Sequence, residues 1–213
     1  MLSIQSFCFN PFQENTYIIF NQEGEAILVD PGMYYPNEFE AYDAFIRTNN
    51  LKPTKIINTH THLDHVFGVA KTMDAYQIPF YFHEADKPVY DAANVFGEMY
   101  GLKFDQLPKT PDAYIKEGEE ITLGTDKLEV FLTPGHSPGS ICLYHAAANW
   151  VISGDVLFQM SIGRSDLPGG DHQTLLQSIR TKLFTLPPET AVHSGHGPVT
   201  TIGLEMMNNP FLQ

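Results

Sequence analysis

Apolar positions follow two rhythms along the chain, and the first is strand-like. Short apolar or alternating runs bounded by Gly, Pro, Asn and Asp predict strands over residues 2–9, 16–20 and 26–29, with a turn at 21–24 and a loop beginning Asp30-Pro31-Gly32. The second rhythm is helical. Phe39, Tyr42, Phe45 and Ile46 stand at i, i+3, i+6 and i+7, one face of a helix over 38–48, before Pro53 and a strand over 55–58. Further along, a helix is expected over 64–76, a strand over 80–82, a helix over 84–94 and a less regular stretch to about 115. Strands return at 127–132, 141–145 and 150–153; a helix over 172–184, a strand over 191–193 and a short helix over 200–207 follow. Two batches of strands with helices between and after them predict an α/β (α+β) fold with two sheets faced by helices, not one alternating parallel sheet. No linker or repeat interrupts the pattern, so residues 1–213 are expected to form a single domain.

Charge narrows the function classes. Twenty-five Asp and Glu against 12 Lys and Arg give a net charge of −13, which disfavours nucleic acid and anionic lipid as partners. No run of ~18 apolar residues suggests a membrane helix, and the N-terminus lacks a signal-peptide pattern, so a cytoplasmic protein is expected. Cys8 and Cys142 lie far apart in strand-like stretches and read as buried free thiols.

Of the nine histidines, three crowd into Thr59-His60-Thr61-His62-Leu63-Asp64-His65. In extended backbone His60 and His62 project to the same side and can share one cation, while Asp64 and His65 at the following turn can face a second. Three imidazoles and a carboxylate so close together repel one another unless a cation lies among them. Ligand-type residues recur after other strands, each in a Gly- or Pro-rich loop: His136 in Thr133-Pro-Gly-His-Ser-Pro-Gly139, Asp155 in Ser153-Gly-Asp155, and His196 in Ser194-Gly-His-Gly-Pro198. Imidazole with carboxylate suits Zn²⁺, and also Fe²⁺ or Mn²⁺; the lack of a nearby cysteine argues against an all-thiolate structural zinc and for a catalytic site. His83, His145, His172 and His193 read as structural.

The ordered set His-x-His-x-Asp-His, His136, Asp155, His196 resembles the metallo-β-lactamase-fold hydrolases, and within them the short, single-domain bacterial glyoxalase-II-like branch. The resemblance covers the chain from Val29-Asp-Pro-Gly32 to Gly195-His-Gly-Pro198. It implies a four-layer αβ/βα sandwich with two divalent metal ions at one edge. His60, His62 and His136 would hold the first, Asp64, His65 and His196 the second, with Asp155 bridging them and Asp30 steadying the histidine loop. The commonest zinc β-lactamases differ by a Cys at the bridging position and by lacking the last His of the cluster; flavodiiron proteins carry Glu where His62 stands.

The implied activity is thioester hydrolysis of the hydroxyacylglutathione hydrolase type by a metal-bridging hydroxide, with Asp64 and Asp155 as catalytic carboxylates and a small-molecule thioester as substrate. A lactonase, or a persulfide dioxygenase using a single iron, are the alternatives. Only 17 residues follow His196, so the C-terminal helical domain that binds glutathione in longer relatives is not expected. Arg164 can grip a substrate carboxylate or pair with Asp166 or Asp171. The segment from His83 to about Ile115, with Tyr90, Phe96, Met99, Tyr100 and Phe104, is the candidate pocket wall, Phe96 and Tyr100 foremost; packing on the domain is the competing use for these side chains.

Overall fold

The computed structural model describes residues 2–104, 106 and 110–213. Its first half comprises β1 (Ser3–Phe9), β2 (Glu14–Phe20), β3 (Glu25–Val29), α1 (Pro36–Thr48), β4 (Lys52–Ile57), the single turn α2 (Leu63–Val66), α3 (Val69–Tyr76), β5 (Phe80–His83), α4 (Lys87–Met99) and β6 (Ala113–Ile115). The second half comprises β7 (Glu120–Leu123), β8 (Asp126–Leu132), β9 (Ile141–His145), β10 (Trp150–Gly154), β11 (Leu157–Phe158), β12 (Ser161–Ile162), α5 (His172–Thr181), β13 (Ala191–Ser194), β14 (Thr200–Thr201) and α6 (Ile202–Asn208). One sheet has the order β1-β2-β3-β4-β5-β6, the other β14-β13-β10-β9-β8-β7, and β11 and β12 form a small ribbon.

Both sheets are covered on both faces, so strand side chains divide by parity. In β3, Ile27 and Val29 join the cluster between the sheets, while Ala26 and Leu28 face Tyr42 and Ile46 of α1. In β9 and β10, Ile141, Leu143 and Ile152 enter the inter-sheet layer, whereas Cys142 and Val151 meet Leu175 and Ile179 of α5. Helix, sheet, sheet, helix is the resulting order of layers.

Strand direction places the chemistry. β3, β4, β5 and β6 run parallel, so the loops leaving β3, β4 and β5 emerge at one edge. β10 and β13 are parallel, and β8 and β10 share a direction because each is antiparallel to β9. The loops carrying Asp30, His60 to His65, Asp86, His136, Asp155 and His196 therefore all follow the C-terminal ends of strands. In open α/β sheets that end is where ligands bind.

Several expectations are corrected. The helix expected over 64–76 breaks at Phe67-Gly68, where Gly68 N–H donates to Pro31 O at 2.8 Å and the chain packs too closely there for a side chain. α4 starts later than expected and continues to Met99, after a 3₁₀ turn over Glu84–Asp86. β6 and β7, three and four residues long, go unpredicted because so short a run shows no period. Part of the stretch expected to be irregular, residues 105 and 107–109, lies outside the described residues. Cys142 is buried but Cys8 is exposed, on β1 at the edge of the first sheet. No helix among the described residues is long and apolar enough to cross a membrane.

Leu143 is fully buried between the sheets. Leu143→Ala should cost about 2–5 kcal/mol in urea denaturation, and Cys8→Ser, on an exposed position, less than about 0.5 kcal/mol.

Candidate metal centre

Beyond β4 the chain passes a bend at Thr59 on its way to His62, and its side chains alternate in use. Thr59 and Thr61 are tied outward while His60 and His62 face inward. Thr59 N–H and Oγ1–H donate to Asp30 Oδ1 and Oδ2 at 2.7 and 2.6 Å; Thr61 N–H donates to Asp86 Oδ2 at 2.6 Å. Asp30 leaves β3 and Asp86 follows β5, the two neighbours of β4, so the histidine loop is held from both flanks. Asn58 Nδ2–H then bonds His65 O at 2.7 Å, and His65 N–H bonds His62 O at 3.0 Å, which folds α2 back and brings Asp64 and His65 beside His60.

The expected donors converge, although they span residues 60 to 196. His136 Nε2 lies 2.8 Å from His62 Nδ1 and 3.2 Å from His60 Nε2. Beside this trio, Asp64 Oδ2 lies 3.2 Å from His196 Nε2 and 3.7 Å from His65 Nε2. Asp155 stands between the two groups: Oδ2 is 3.6 Å from His136 Nε2 and 3.5 Å from His196 Nε2, and Oδ1 is 3.4 Å from His65 Nε2. Asp30, His60 and His65 also lie close enough to share an ion, but the Asp30 oxygens already serve Thr59 and His65.

Outer acceptors set the imidazole orientations. His136 Nδ1–H donates to Arg164 O at 2.7 Å, His196 Nδ1–H to Phe12 O at 3.1 Å, and His65 Nδ1–H to Asp30 Oδ2 at 3.1 Å. With Nδ1 committed as a donor, each of these rings in its neutral form turns the Nε2 lone pair to the centre. Burial, reinforced by neighbouring imidazoles, holds His60 well below the usual histidine range and lowers His62 to about 4. Burial also pushes His65 down, yet the carboxylates of Asp64 and Asp155 outweigh it and hold that imidazole well above its ordinary range. His65 Nε2 and Asp155 Oδ1 are buried without a hydrogen-bond partner. Facing lone pairs and orphaned donor-set atoms of N and O type fit divalent cations.

These groups form the floor of a cavity of about 670 Å³ that includes His62, Asp64, His136, Asp155 and His196. Phe96 and Tyr100 line it together with Val89, Phe12 and Phe158. The other proposed wall residues go elsewhere. Tyr90 packs on Phe80 and Phe82, Met99 is 75% exposed, and Phe104 stacks on Phe67. Arg164 also lines the cavity, with Nε and Nη2 both donating to Asp166 at 2.8 Å. Among the remaining histidines, His145 bonds Lys127 O and His193 packs edge-on against Tyr17 and Trp150.

Residues 9–196 match the sequence model of the metallo-beta-lactamase superfamily. The chain belongs to that superfamily. Its relatives include the probable metallo-hydrolase YqgX of Bacillus subtilis (strain 168), 40% identical over 202 residues, 95% of this chain and 93% of that one. Another is the hydroxyacylglutathione hydrolase GloC of Haemophilus influenzae, 36% identical over 204 residues, 94% of this chain and 93% of that one. Two solved structures are similar throughout. The BLEG-1 B3 metallo-beta-lactamase superposes with a TM-score of 0.90 at 40% identity, covering 99% of this chain and 100% of that one. TTHA1623 in a di-iron-bound form superposes with a TM-score of 0.87 at 41% identity, covering 98% and 100%. Family and relatives make this metallo-beta-lactamase superfamily member a metallo-hydrolase.

Sequence reasoning missed three parts of the centre. Asp86 carries no motif signal, because a lone Asp before a helix reads as a cap. Phe12 has none either: it supplies a backbone carbonyl, which every residue type has. Gly195 is needed because a Cβ there would collide with Asp155 Oδ1 and come within 2.9 Å of His65 Cε1; only the Gly-His pairing hints at it.

Asp155 has carboxylate oxygens within 3.6 Å of ring nitrogens in both groups. Asp155→Ala should lower zinc affinity at both positions by more than the roughly 10- to 100-fold typical of losing an outer hydrogen-bond partner. His62→Ala should weaken one position. Zinc content after gel filtration and competition with a chromophoric chelator provide the measurement.

Proposed function

We propose that the chain is a thioester hydrolase of the hydroxyacylglutathione hydrolase type, with two divalent cations, zinc foremost. The observation carrying this is the pair of adjoining donor groups, sharing Asp155, at the floor of a largely apolar cavity. In this reading His60, His62 and His136 hold one cation, Asp64, His65 and His196 the other, and Asp155 both. So bound, the cations polarise a carbonyl oxygen and make a strong nucleophile of water at neutral pH. The full length and 36% identity shared with a hydroxyacylglutathione hydrolase support the thioester as the bond cleaved.

The chain's own groups divide the remaining work. Water adds to the thioester carbonyl, the C–S bond breaks, and one proton must reach the departing sulfur. Asp64, whose carboxylate borders the cavity, takes up that proton and passes it on, with Asp155 fixing the spacing of the two donor groups. Val89, Phe96, Tyr100 and Phe158 give apolar contact to the substrate and exclude water from the floor. Arg164 meets a substrate carboxylate only by exchanging it for Asp166, an exposed pair that solvent screens.

The zinc-loaded protein should hydrolyse S-lactoylglutathione, lose the activity to a chelator and regain it with zinc. Phe96→Ala and Tyr100→Ala should each raise KM by about 10-fold and change kcat less, because apolar contact holds substrate while the chemistry stays on the floor. A loaded protein that cleaves no thioester overturns the reading. Penicillin or lactone hydrolysis in its place would assign the site to those bonds, and one iron per chain with oxygen uptake on glutathione persulfide would assign it to a dioxygenase.

A further inference from the structure

Asp86 is fully buried, lies outside the donor set, and uses both carboxylate oxygens to join two loops. Oδ2 accepts Thr61 N–H at 2.6 Å and Thr61 Oγ1–H at 2.8 Å. Oδ1 accepts Gly139 N–H at 2.8 Å and a short bond from Ser137 Oγ–H. Thr61 sits between His60 and His62, Ser137 directly follows His136, and Gly139 lies in the same loop as His136, so every bond of this carboxylate acts on a loop that carries one donor trio. Gly139 is required by the contact itself, since a Cβ there would stand 2.5 Å from Asp86 N and 2.7 Å from its Cβ. Asp86 makes no such bond to the second trio: Asp30 holds His65, as well as Thr59 beside His60, and the Phe12 and Gln13 carbonyls hold His196.

We propose that Asp86 is the positioning residue of the His60–His62–His136 cation site, clamping the loop after β4 to the loop after β8 so that three ring nitrogens surround one point. The proposal rests on the two-cation reading above: of the two buried aspartates flanking β4, Asp30 serves both donor groups and Asp86 serves one. Each oxygen of Asp86 faces a pair of donors, so an acceptor is needed on both sides. An amide has an acceptor on one side only, and its NH₂ would face N–H and O–H groups of the other loop and force the two loops apart.

Zinc titration against a chromophoric chelator, with cobalt absorption spectra to tell the two sites apart, tests this on the whole chain. In Asp86→Asn the His60–His62–His136 site should bind zinc about 10- to 100-fold more weakly, with the Asp64–His65–His196 site changed less than about 2-fold. Thermal unfolding of the metal-free variants reports folding separately. If Asp86→Asn does not fold, Ser137→Ala decides, because it removes one bond and little volume; it should weaken the same site by about 3-fold or more. Equal weakening of both sites, or no change in a folded variant, overturns the proposal and leaves the two-cation reading standing. A wild-type chain that takes up no zinc overturns that reading first, and the clamp with it.

Discussion

Lone pairs that face one another in a buried space repel, and the organisation of this molecule follows from holding them there. Ring nitrogens of His60, His62 and His136 meet at 2.8 to 3.2 Å with two carboxylates alongside. No hydrophobic contact favours that arrangement; the surroundings must impose it. They do so with acceptors behind the rings of His65, His136 and His196, with Asp30 and Asp86 holding the threonines on either side of His60, and with glycine where a side chain would intrude. Where donors are gathered in this way, metal binding and local order are coupled.

The two sheets supply the rigidity. Their shared layer is built from β-branched and leucine side chains, packed on both faces, so the strand ends cannot shift independently. Parallel pairing of β3, β4 and β5 then places Asp30 and Asp86 on either side of the histidine loop, while β8, β10 and β13 deliver His136, Asp155 and His196 from the second sheet. Tyr17 Oη–H, donating to Ser194 O at 2.6 Å, ties the two sheets together close to that edge. The site is thus a property of the interface between sheets.

The cavity above is built differently. Its floor is set by buried hydrogen bonds, its walls by one face of α4 and by the loop after β12, elements with solvent on their far side. Fold alone does not fix which bond such a site acts on; the walls that meet the substrate do.

Local order in the chain determined a good deal. Alternating runs marked most strands, the spacing of Phe39, Tyr42, Phe45 and Ile46 marked α1, and the packing of His60, His62, Asp64 and His65 into six positions marked a cation site, because nearby lone pairs need compensation wherever the chain goes. Edge strands β6 and β7 escaped, being too short for a period, and the break at Gly68 escaped because Pro31 lies far away in sequence. The exposure of Cys8 depended on β1 being an edge strand. The use of Asp86 as a double acceptor, of the Phe12 carbonyl behind His196, and of Phe96 and Tyr100 but not Met99 or Tyr90 at the cavity, was decided by tertiary structure alone. Residue type and spacing carry the chemistry of groups that interact through neighbouring backbone; backbone carbonyls, lone carboxylates and helix faces acquire roles only when folding brings distant partners within reach.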